Sequence, residues 1–555
     1  MSASDPSSPA WDDERDVVVI GSGAGGLTGA VVAATGGADV LVLEKTSLVG
    51  GTTSVSGGGF WIPLNHHMAE EGVDDSRDEA LAYLRACAAG RTDDDILEAL
   101  VDNGAPMVRL LEDRVGLRFR PWPAGAGASD YRPWLPGAKP GSRTLSSHRV
   151  TASDLGEWEE SLRLGLLSAW TMDPMSYYRE RMHLLAPSPD APRRGSTDGS
   201  RPEHLASGTA LIAQLLLGCL EQGVTVWTDA PATELLVEGG RVVGVKATRD
   251  GEECSIRARA GVLVASGGFG HDPALVRMWL NQPLEETCES DGCTGDGQLL
   301  GAAVGAQLGQ FDAWWMPHIP FMRNPDGSVL WVGSREDRIL PHTMWVNGRG
   351  RRFVNEATNY YDVAEAFGWL AGASGRNLPA WLVFDEQGRE RYMLLAIKVP
   401  DGEPPEWLAT AATIEELAAR LPVDPAALRA TVERFNDFAR TGVDEDFGRG
   451  DNEWDRAWGD PDNAPNPTLG TIEKPPFYAL EVRSGALGTR GGLRVNGRAE
   501  VISARAPFDP IPGLYAAGNC CTGAPAGCYP GAGSTIGAAM TFGYLAALAL
   551  TGTSM

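Results

Sequence analysis

The chain has 555 residues with 73 acidic and 47 basic side chains, giving a formal net charge of -26. This acidity argues against nucleic acid as a partner and against a polybasic membrane anchor. Because the chain is too long for one compact core, two domains are expected.

The chain begins with a polar, acidic segment, residues 1–15, that has no apolar core. This composition predicts a disordered tail and not a signal peptide. The longest apolar runs, residues 210–220 and 545–550, are shorter than the roughly 20 residues that span a bilayer, so no transmembrane segment is predicted.

The first predicted elements form a nucleotide-binding unit. An apolar strand at residues 16–20 runs into a glycine-rich turn, a small-residue helix follows to about Thr35, and a second strand, residues 39–43, ends on Glu44. The turn contains Gly21, Gly23, Ala24, Gly25 and Gly26. The first of these glycines permits a tight turn, the second lets the backbone approach a pyrophosphate, and the last lets helix and strand pack closely. Glu44 stands where a ribose hydroxyl needs an acceptor.

Glycines and small polar residues continue beyond the acid, in residues 50–53 and 56–59. Such a surface suits a second phosphate and a flat ring lying against backbone, so it favours a flavin over a nicotinamide. A strand at residues 262–265 that leads into Ser266 and Gly267 is predicted to belong to the same cofactor domain. So is a strand at residues 513–517 that leads into Gly518 and Asn519.

Local signals in the middle of the chain predict helices at residues 76–88 and 95–113. The pair Gly239-Gly240 predicts a two-residue hairpin turn. Thr413 with Glu416 forms a capping box, and Asp424-Pro425 begins a helix that ends at Gly442. The acidic segment at residues 443–469, which contains many Gly, Asn and Pro residues, predicts a mobile loop.

The eight cysteines and eight histidines form no recognisable metal-binding motif. The cysteines show neither CxxC spacing nor a Cys/His cluster, and the adjacent His66 and His67 are not spaced as metal ligands on a helix. No metal site is therefore predicted. Scattered thiols are typical of a reducing cytoplasm.

Near the C-terminus, Tyr529 precedes a proline-fixed, glycine-rich turn and an apolar stretch, residues 538–550, that predicts a helix. Free backbone N–H groups at a helix start and a phenol hydroxyl can together bind an oxygen that carries partial negative charge. Taken alone, the segment also fits a turn that caps a buried helix. Beside a flavin-binding unit, it predicts a site that polarises a carbonyl.

Several segments together carry a family resemblance. They are VVVIGSGAGGL, LEKTSLVGGTTSVSGGG, ASGGFG, TGDG, GRRFVNEATNY, LGTRGGL and YPGAGSTIGAAMTFGY. On these segments the chain resembles the flavoprotein superfamily of fumarate reductases and 3-ketosteroid dehydrogenases, and most of all the 3-ketosteroid Δ1-dehydrogenases. The resemblance implies an α/β fold, α+β overall, in which an inserted α+β catalytic domain (residues 272–486) interrupts a Rossmann-like FAD-binding domain of the glutathione-reductase type (residues 16–271 and 487–555).

The resemblance also implies how FAD is held. The cofactor-binding residues, besides the glycine turn and Glu44, would be Lys45, Gly51, Thr52, Thr53, Ser56, Gly57, Gly58, Ala232, Ser266, Gly267, Asp296, Gly518, Asn519, Ser534, Thr535 and Ile536. The histidine that covalently attaches flavin in succinate dehydrogenase flavoproteins is missing from residues 52–59. FAD is therefore expected to be noncovalent.

Four residues receive catalytic roles from the resemblance. Tyr529 and the Gly533 N–H would hold the substrate ketone, Tyr360 would remove the alpha proton, and Tyr131 would assist it. A free phenol has a pKa of roughly 10, so a hydrogen bond from Tyr131 is expected to help bring the pKa of Tyr360 towards 7.

Two features complicate the assignment of the base. Tyr361 competes with Tyr360, although the spacing from Asn355 favours Tyr360. Asn359 replaces the proline that commonly precedes the base in the family, so the loop that carries Tyr360 is expected to be less firmly fixed.

The implied activity is that of an FAD-dependent oxidoreductase acting on CH–CH groups: the 1,2-desaturation of a hydrophobic 3-ketosteroid. Electrons would pass to an external, quinone-like acceptor, in the cytoplasm or at the membrane periphery. Two alternatives stay open. One is a related flavin desaturase for another cyclic ketone, including the Δ4-(5α)-steroid type, and the other is a fumarate-reductase-like subunit. The arginines that a fumarate reductase places at Tyr360 and near Gly533 are absent.

Overall fold

The computed structural model describes residues 11–123, 130–165, 168, 201–323, 326–335, 337–368, 377–392, 404–506 and 508–553. Most of the predicted tail, residues 1–10, therefore lies outside the described residues. The first strand begins at Asp13, which shortens that tail by three residues.

The helices and strands alternate irregularly along the chain. The α-helices are α1 (Ala24–Thr35), α2 (Gly51–Val55), α3 (Arg77–Ala88), α4 (Asp94–Val115), α5 (Ser207–Glu221), α6 (Pro273–Trp279), α7 (Asp296–Ala303), α8 (Tyr360–Glu365), α9 (Glu386–Arg391), α10 (Ile414–Arg420), α11 (Pro425–Thr441), α12 (Glu453–Trp458) and α13 (Ser534–Thr551). The strands are β1 (Asp13–Ile20), β2 (Val40–Leu43), β3 (Phe60–Trp61), β4 (Phe119–Pro121), β5 (Thr144–Ser147), β6 (Val150–Thr151), β7 (His204–Leu205), β8 (Thr225–Trp227), β9 (Ala232–Glu238), β10 (Arg241–Arg249), β11 (Glu252–Val264), β12 (Glu286–Thr287), β13 (Leu308–Trp315), β14 (His318–Arg323), β15 (Val329–Gly333), β16 (Thr343–Asn347), β17 (Ala380–Asp385), β18 (Ala409–Ala411), β19 (Phe477–Val482), β20 (Gly485–Leu493), β21 (Glu500–Ile502) and β22 (Pro510–Ala516).

A mixed eight-stranded sheet carries the nucleotide-binding unit. Its main strand order is β21-β22-β11-β1-β2-β8, and the hairpin β9–β10 extends from β11. The core strands β1, β2, β8, β11 and β22 run parallel, with Ile20 opposite Leu43. The carboxyl ends of β1 and β2 therefore meet, and they bring the glycine turn next to Glu44. The predicted hairpin is confirmed, because Gly239 and Gly240 connect β9 and β10.

Helix α1 packs closely against α13 because small residues line the contact. A Cβ atom added to Gly25 would lie 2.9 Å from the Ala539 carbonyl oxygen, and one added to Gly543 would lie 2.2 Å from the Gly25 carbonyl oxygen. The two helices run in the same direction, so their N-terminal ends lie on one side of the sheet. By length and composition α13 is the one helix of the described chain that could cross a bilayer, but 67% of it is buried inside the fold, as in a core helix.

A separate four-stranded antiparallel sheet has the order β16-β17-β19-β18, and helices α10 and α11 form the adjacent apolar cluster. The predicted caps are present. The Thr413 hydroxyl accepts a bond from the Glu416 N–H at 3.1 Å, and Gly442 ends α11 in the left-handed conformation. The apolar side chains predicted for α11 are all buried: Leu428, Val432, Phe435 and Phe438.

The prediction of a mobile loop at residues 443–469 is wrong, because the segment contains α12 and buries Trp454. A guanidinium anchors the segment: Arg352 bonds the carboxylates of Glu356 at 2.7 Å and Asp444 at 2.8 Å, with all three side chains buried. Pulling Asp444 away would leave an uncompensated buried charge on Arg352, so this ion pair holds the acidic segment against the rest of the fold. A pattern of acidic residues alone resembles a solvated loop, which explains the error.

Candidate active site

Three tyrosines from distant parts of the chain meet in the interior. The Tyr131 hydroxyl donates a hydrogen bond to the Tyr360 hydroxyl at 2.9 Å. The centroid of the Tyr529 ring lies 5.5 Å from that of Tyr131 and 5.4 Å from that of Tyr360. None of the three is more than 9% exposed. The structure thus brings together the three tyrosines to which the family resemblance gave catalytic roles.

Backbone contacts hold Tyr131 against the segment that carries Tyr529. The Tyr131 N–H donates to the Pro530 carbonyl oxygen at 2.9 Å, and the Tyr83 hydroxyl donates to the same oxygen at 2.6 Å. The preceding carboxylate, Asp130, accepts bonds from the Trp61 indole at 2.8 Å and from the Arg143 guanidinium at 2.7 Å. These bonds hold the backbone at Tyr131 in place and so determine the position of its ring.

Tyr360 is the first residue of α8, and Asn359 caps this helix. The Asn359 side-chain oxygen accepts a bond from the Asp362 N–H at 3.0 Å. The expectation of a less firmly fixed loop is therefore wrong, since asparagine is a strong N-cap residue. A bidentate ion pair joins Arg132 to Asp362, at 2.6 and 3.1 Å, and connects the Tyr131 and Tyr360 segments directly.

Gly533 precedes α13 in a conformation that requires glycine. Its φ angle is +84°, and a Cβ atom would lie 2.0 Å from the Gly59 carbonyl oxygen. Any side chain here would force the helix start away from the loop. Hydrogen bonds from Tyr360, Thr535 and the Gly533 backbone lower the pKa of Tyr529, although burial raises it more. The Tyr529 phenol and the Gly533 N–H thus occupy one small region.

The pKa of Tyr360 moves in the direction opposite to the sequence-based expectation. Burial, followed by the neighbouring phenols Tyr131 and Tyr529, raises it well above its usual value. Burial is the largest cause, since desolvation disfavours the charged phenolate, and the hydrogen bond with Tyr131 adds to the increase in pKa and does not offset it. Burial likewise raises the pKa of Tyr131, and the positive charges of Arg335 and Arg338 lower it in part.

The competing residue Tyr361 points elsewhere. It is fully buried, and its hydroxyl donates to the Asp312 carboxylate at 3.4 Å. Its ring centroid lies 6.4 Å from that of Tyr529. Within the described chain, the hydroxyl bonded to Tyr131 is that of Tyr360.

Aromatic rings line the tyrosine cluster. The Trp314 ring lies 5.4 Å from that of Tyr529, in an edge-on arrangement. Trp345 lies elsewhere and packs 5.5 Å from Phe367 in the core. The Trp454 ring lies 4.5 Å from that of Tyr131. No sequence signal pointed to this contact, because Trp454 belongs to the segment predicted as a loop.

A positive charge also faces this cluster. The Arg335 guanidinium lies 5.9 Å from the Trp458 ring, and Trp458 lies 5.6 Å from Trp454. The charge of Arg335 contributes to lowering the pKa of both Tyr131 and Tyr529. A guanidinium close to buried phenols is a second feature that sequence patterns did not reveal.

The glycine turn leaves space that an FAD pyrophosphate could fill. A Cβ atom on Gly26 would lie 2.0 Å from the Gly21 carbonyl oxygen, so this glycine serves packing. A Cβ atom on Gly23 would approach only Thr53, at 3.8 Å, and one on Gly57 would meet no described atom within 4 Å. Such open, side-chain-free backbone at the start of α1 fits a phosphate group. These residues therefore fit the cofactor.

Glu44 lies beside the turn, and the chain already supplies its hydrogen-bond donors. Ser22 donates its hydroxyl to one carboxylate oxygen at 2.5 Å, and Thr46 donates its hydroxyl to the other at 2.9 Å. A ribose diol would have to share or replace these donors. The next residue, Lys45, forms an ion pair with Asp296 at 2.6 Å, so two further predicted cofactor residues stand together.

The remaining predicted cofactor residues fall into two groups. Four side chains accept hydrogen bonds from neighbouring parts of the chain: Thr53 from the Ala24 N–H, Thr52 from the Ser290 N–H, Ser266 from the Gly297 N–H and Asn519 from the Trp314 indole. The hydroxyls of Ser56 and Ser534 donate to backbone oxygens within their own loops. The others are described by their backbone positions. Four are glycines with positive φ: Gly51 at the start of α2, Gly58 after α2, Gly267 after β11 and Gly518 after β22. Ala232 begins β9, and Thr535 and Ile536 lie in the first turn of α13. The Ser534 hydroxyl donates to the Gly531 carbonyl oxygen at 2.6 Å.

The chain is similar in sequence to known flavin-dependent enzymes. The family model described as FAD binding domain matches residues 16–536. The chain is 40% identical to the 4-oxocyclohexanecarboxylate 2-dehydrogenase of Sinomonas cyclohexanicum, over 97% of this chain and 93% of that protein. It is 38% identical to the 3-oxosteroid 1-dehydrogenase of Mycolicibacterium smegmatis, over 98% of each.

A solved structure is also similar. The 3-ketosteroid Δ1-dehydrogenase of Sterolibacterium denitrificans, in complex with 1,4-androstadiene-3,17-dione, has a TM-score of 0.88 and 34% identity, covering 98% of this chain and all of that one. These similarities confirm the predicted fold class and FAD as the cofactor.

The open space at Gly23 leads to a prediction about cofactor retention. Gly23→Ala should weaken FAD binding roughly tenfold or more, because an added methyl group in a close-packed contact typically costs about 1–3 kcal/mol. The fold should stay intact, since the methyl group meets little of the chain. The ratio of flavin to protein absorbance after dialysis measures retention, and Gly309→Ala, also in open space, is the control. Full FAD content in Gly23→Ala would place the pyrophosphate elsewhere.

Proposed function

Because the chain belongs to the FAD-binding flavoprotein family and is an FAD-dependent oxidoreductase acting on CH–CH groups, we propose that it introduces a double bond next to a ring ketone. The substrate that we favour is a 3-oxosteroid, on which similar proteins act. The observation that carries the proposal is the buried cluster of Tyr131, Tyr360 and Tyr529 beside the Gly533 N–H.

The ketone would be held by two donors. The Tyr529 hydroxyl and the Gly533 N–H lie close together, at the positive end of α13. In a site that excludes water, one such donor to a developing enolate oxygen is worth about 3–4 kcal/mol. Burial raises the pKa of Tyr529 and so keeps its phenol protonated as a donor.

Tyr360 would remove the proton from the carbon next to the ketone. The Tyr131 hydroxyl donates to it and so directs the remaining lone pair of the Tyr360 oxygen towards the substrate. When bound, FAD supplies the acceptor for the hydride that leaves the neighbouring carbon. Proton and hydride loss from adjacent carbons together form the carbon–carbon double bond.

The cofactor would be noncovalent, because residues 52–59 contain no histidine for attachment. Two electrons leave the substrate in each turnover, so an external acceptor, of quinone-like chemistry in our proposal, must take them. The protein would do this in the cytoplasm or at the membrane periphery.

A second substrate class has one specific observation in its favour. The charge of the Arg335 guanidinium lowers in part the pKa of Tyr131 and Tyr529, so it lies near the site. The ring carbon opposite the ketone carries only apolar groups in a 3-oxosteroid. A ring ketone with a carboxylate would place its negative charge on that side. The Trp454 indole N–H, buried and without a hydrogen-bond partner among the described residues, offers a further donor nearby. A 4-oxocyclohexanecarboxylate, the substrate named for one relative, has this arrangement.

The two tyrosine roles are separable by mutation. Tyr360→Phe should still bind a ketone but reduce the flavin about 10²–10⁴-fold more slowly, the usual effect of removing a positioned base. Tyr529→Phe should weaken both binding and reduction, because the enolate oxygen loses a donor. Stopped-flow flavin bleaching and a binding titration measure the two effects. Tyr361→Phe is the control and should reduce nearly as fast as the wild type; a rate in Tyr360→Phe equal to that of the control would contradict the assignment.

The raised pKa of Tyr360 predicts a pH dependence. Only the phenolate accepts a proton, and at neutral pH a base with a raised pKa is mostly protonated. The rate of flavin reduction should therefore rise about tenfold per pH unit between about pH 6 and 9, as expected for a base below its pKa. Single-turnover rates across this range test the slope, which Tyr360→Phe should lose. A plateau that starts near pH 7 would show that the pKa of the base is lowered and not raised.

The substrate class is tested at Arg335. Arg335→Met should weaken binding of 4-oxocyclohexanecarboxylate by roughly 10–100-fold, since a hydrogen bond to a charged group is worth about 1.5–3 kcal/mol. Binding of neutral 4-androstene-3,17-dione should change little. Arg440→Met, at an exposed surface pair, is the matched control. If only the steroid bleaches the flavin, the carboxylate class is wrong; if only the carboxylate does, the steroid is.

A further inference from the structure

A cluster of two histidines and a glutamate lies outside the tyrosine site. His66 and His67 belong to a short 3₁₀ helix, His66–Glu71, and Glu112 belongs to the last turn of α4. The His66 Nε2 atom lies 3.0 Å from one Glu112 carboxylate oxygen, and the His67 Nε2 atom lies 3.0 and 3.1 Å from the two oxygens. The three side chains are only 25%, 11% and 15% exposed. We call this group the His66/His67/Glu112 cluster.

A second carboxylate orients one of the rings. A Glu70 oxygen lies 2.9 Å from His67 Nδ1. An ionised carboxylate accepts but cannot donate, so Nδ1 carries the proton of this bond. In neutral His67 the lone pair on Nε2 then faces the Glu112 carboxylate. Two electron-rich groups at 3.0 Å repel each other unless a positive charge lies between them.

That charge is either a second proton on the ring or a metal cation. The two rings lie side by side, with centroids 4.1 Å apart and an interplanar angle of 34°, and both present Nε2 to the same Glu112 carboxylate. One cation bound by the two Nε2 atoms and the carboxylate would replace the protons of these contacts.

We propose that the His66/His67/Glu112 cluster binds one divalent transition-metal ion, with Zn²⁺ the best match. Two imidazole nitrogens and one carboxylate are ligands that Zn²⁺ prefers, and Glu70 is the outer carboxylate that fixes a metal-bound histidine. The nitrogen–oxygen separations of 3.0 Å would have to widen only to about 3.4 Å for tetrahedral metal–ligand bonds of about 2.0–2.2 Å. Three protein ligands leave at least one position for water. The spacing of His66 and His67 alone did not predict this site, because α4 supplies the third ligand.

The ion would link two segments that support the tyrosine site. The 3₁₀ helix follows Ile62 and Asn65, and the Asn65 amide donates to the Ile62 and Ser142 carbonyl oxygens at 2.8 Å. Helix α4 passes beside the same segment, since a Cβ atom on Gly104 would lie 3.0 Å from the Ile62 side chain. Zinc should therefore raise the thermal stability of the FAD-loaded protein and leave the rate of flavin reduction nearly unchanged.

The test uses the FAD-loaded protein after treatment with EDTA and dialysis. Titration with ZnCl₂ by calorimetry, and with Co²⁺ by its absorption beyond the flavin bands, should show one ion per chain. His67→Ala and Glu112→Gln should abolish this binding. Glu70→Gln should weaken it roughly 10–100-fold, the usual effect of losing an outer carboxylate. His204→Ala, an exposed histidine outside the cluster, should bind as the wild type does.

Each result supports or overturns the proposal. Folding of every variant is checked by circular dichroism and FAD content, and Glu70→Gln keeps both the size of the side chain and all three ligands if the others fail to fold. Absence of bound ion in the wild type would overturn the site. Equal binding by wild type and Glu112→Gln would also overturn it, since the ion would then be held by other groups, such as cysteine thiolates. Removal of the ion should lower the melting temperature of the wild type but not that of Glu112→Gln.

Discussion

The buried hydrogen bond between Tyr131 and Tyr360 joins residues that are 229 positions apart, and the active-site geometry depends on it. An ion pair between the adjacent residues Arg132 and Asp362 holds the same two segments together. The backbone bond from Tyr131 to Pro530 then fixes this unit against the segment that carries Tyr529. The base, helper and ketone-binding phenol that we propose thus have fixed relative positions before any substrate arrives, and such preorganisation is usually the largest source of rate enhancement in sites that stabilise developing charge.

The same burial that assembles the phenols makes the chemistry harder in one respect. Desolvation raises the pKa of Tyr360, so the base that we propose is well placed but rarely in its active, deprotonated form. The raised pKa of Tyr529 is favourable, because a protonated phenol is what the enolate oxygen requires. The same burial therefore keeps Tyr529 protonated as a donor and disfavours the phenolate form of Tyr360 that a base requires. The positive charge of Arg335 lowers in part the pKa of the two neighbouring phenols, Tyr131 and Tyr529, which burial raises.

Sequence signals predicted the features that short segments determine. The glycine turn, the Gly239-Gly240 hairpin and the Thr413 cap depend on a few neighbouring residues, and the structure has all three. Features that depend on distant partners were missed. The segment at residues 443–469 is folded because Arg352 pairs with Asp444, 92 positions away. Because this segment is folded, Trp454 packs against Tyr131. Asn359 caps α8 through its side chain, a role that was not expected because the family commonly has proline at this position.

The central claim is that the ketone oxygen lies between Tyr529 and Gly533 while the neighbouring carbon faces Tyr360. A crystal structure of the FAD-loaded protein with a bound unsaturated ring ketone tests it most directly. We predict that the ketone oxygen lies about 2.7–3.1 Å from both the Tyr529 hydroxyl and the Gly533 nitrogen, the distance of an effective oxyanion donor. The Tyr360 hydroxyl should be the nearest polar atom to the carbon beside the ketone. A ketone oxygen bound by Arg335, or a reacting carbon that faces Tyr361, would contradict the account.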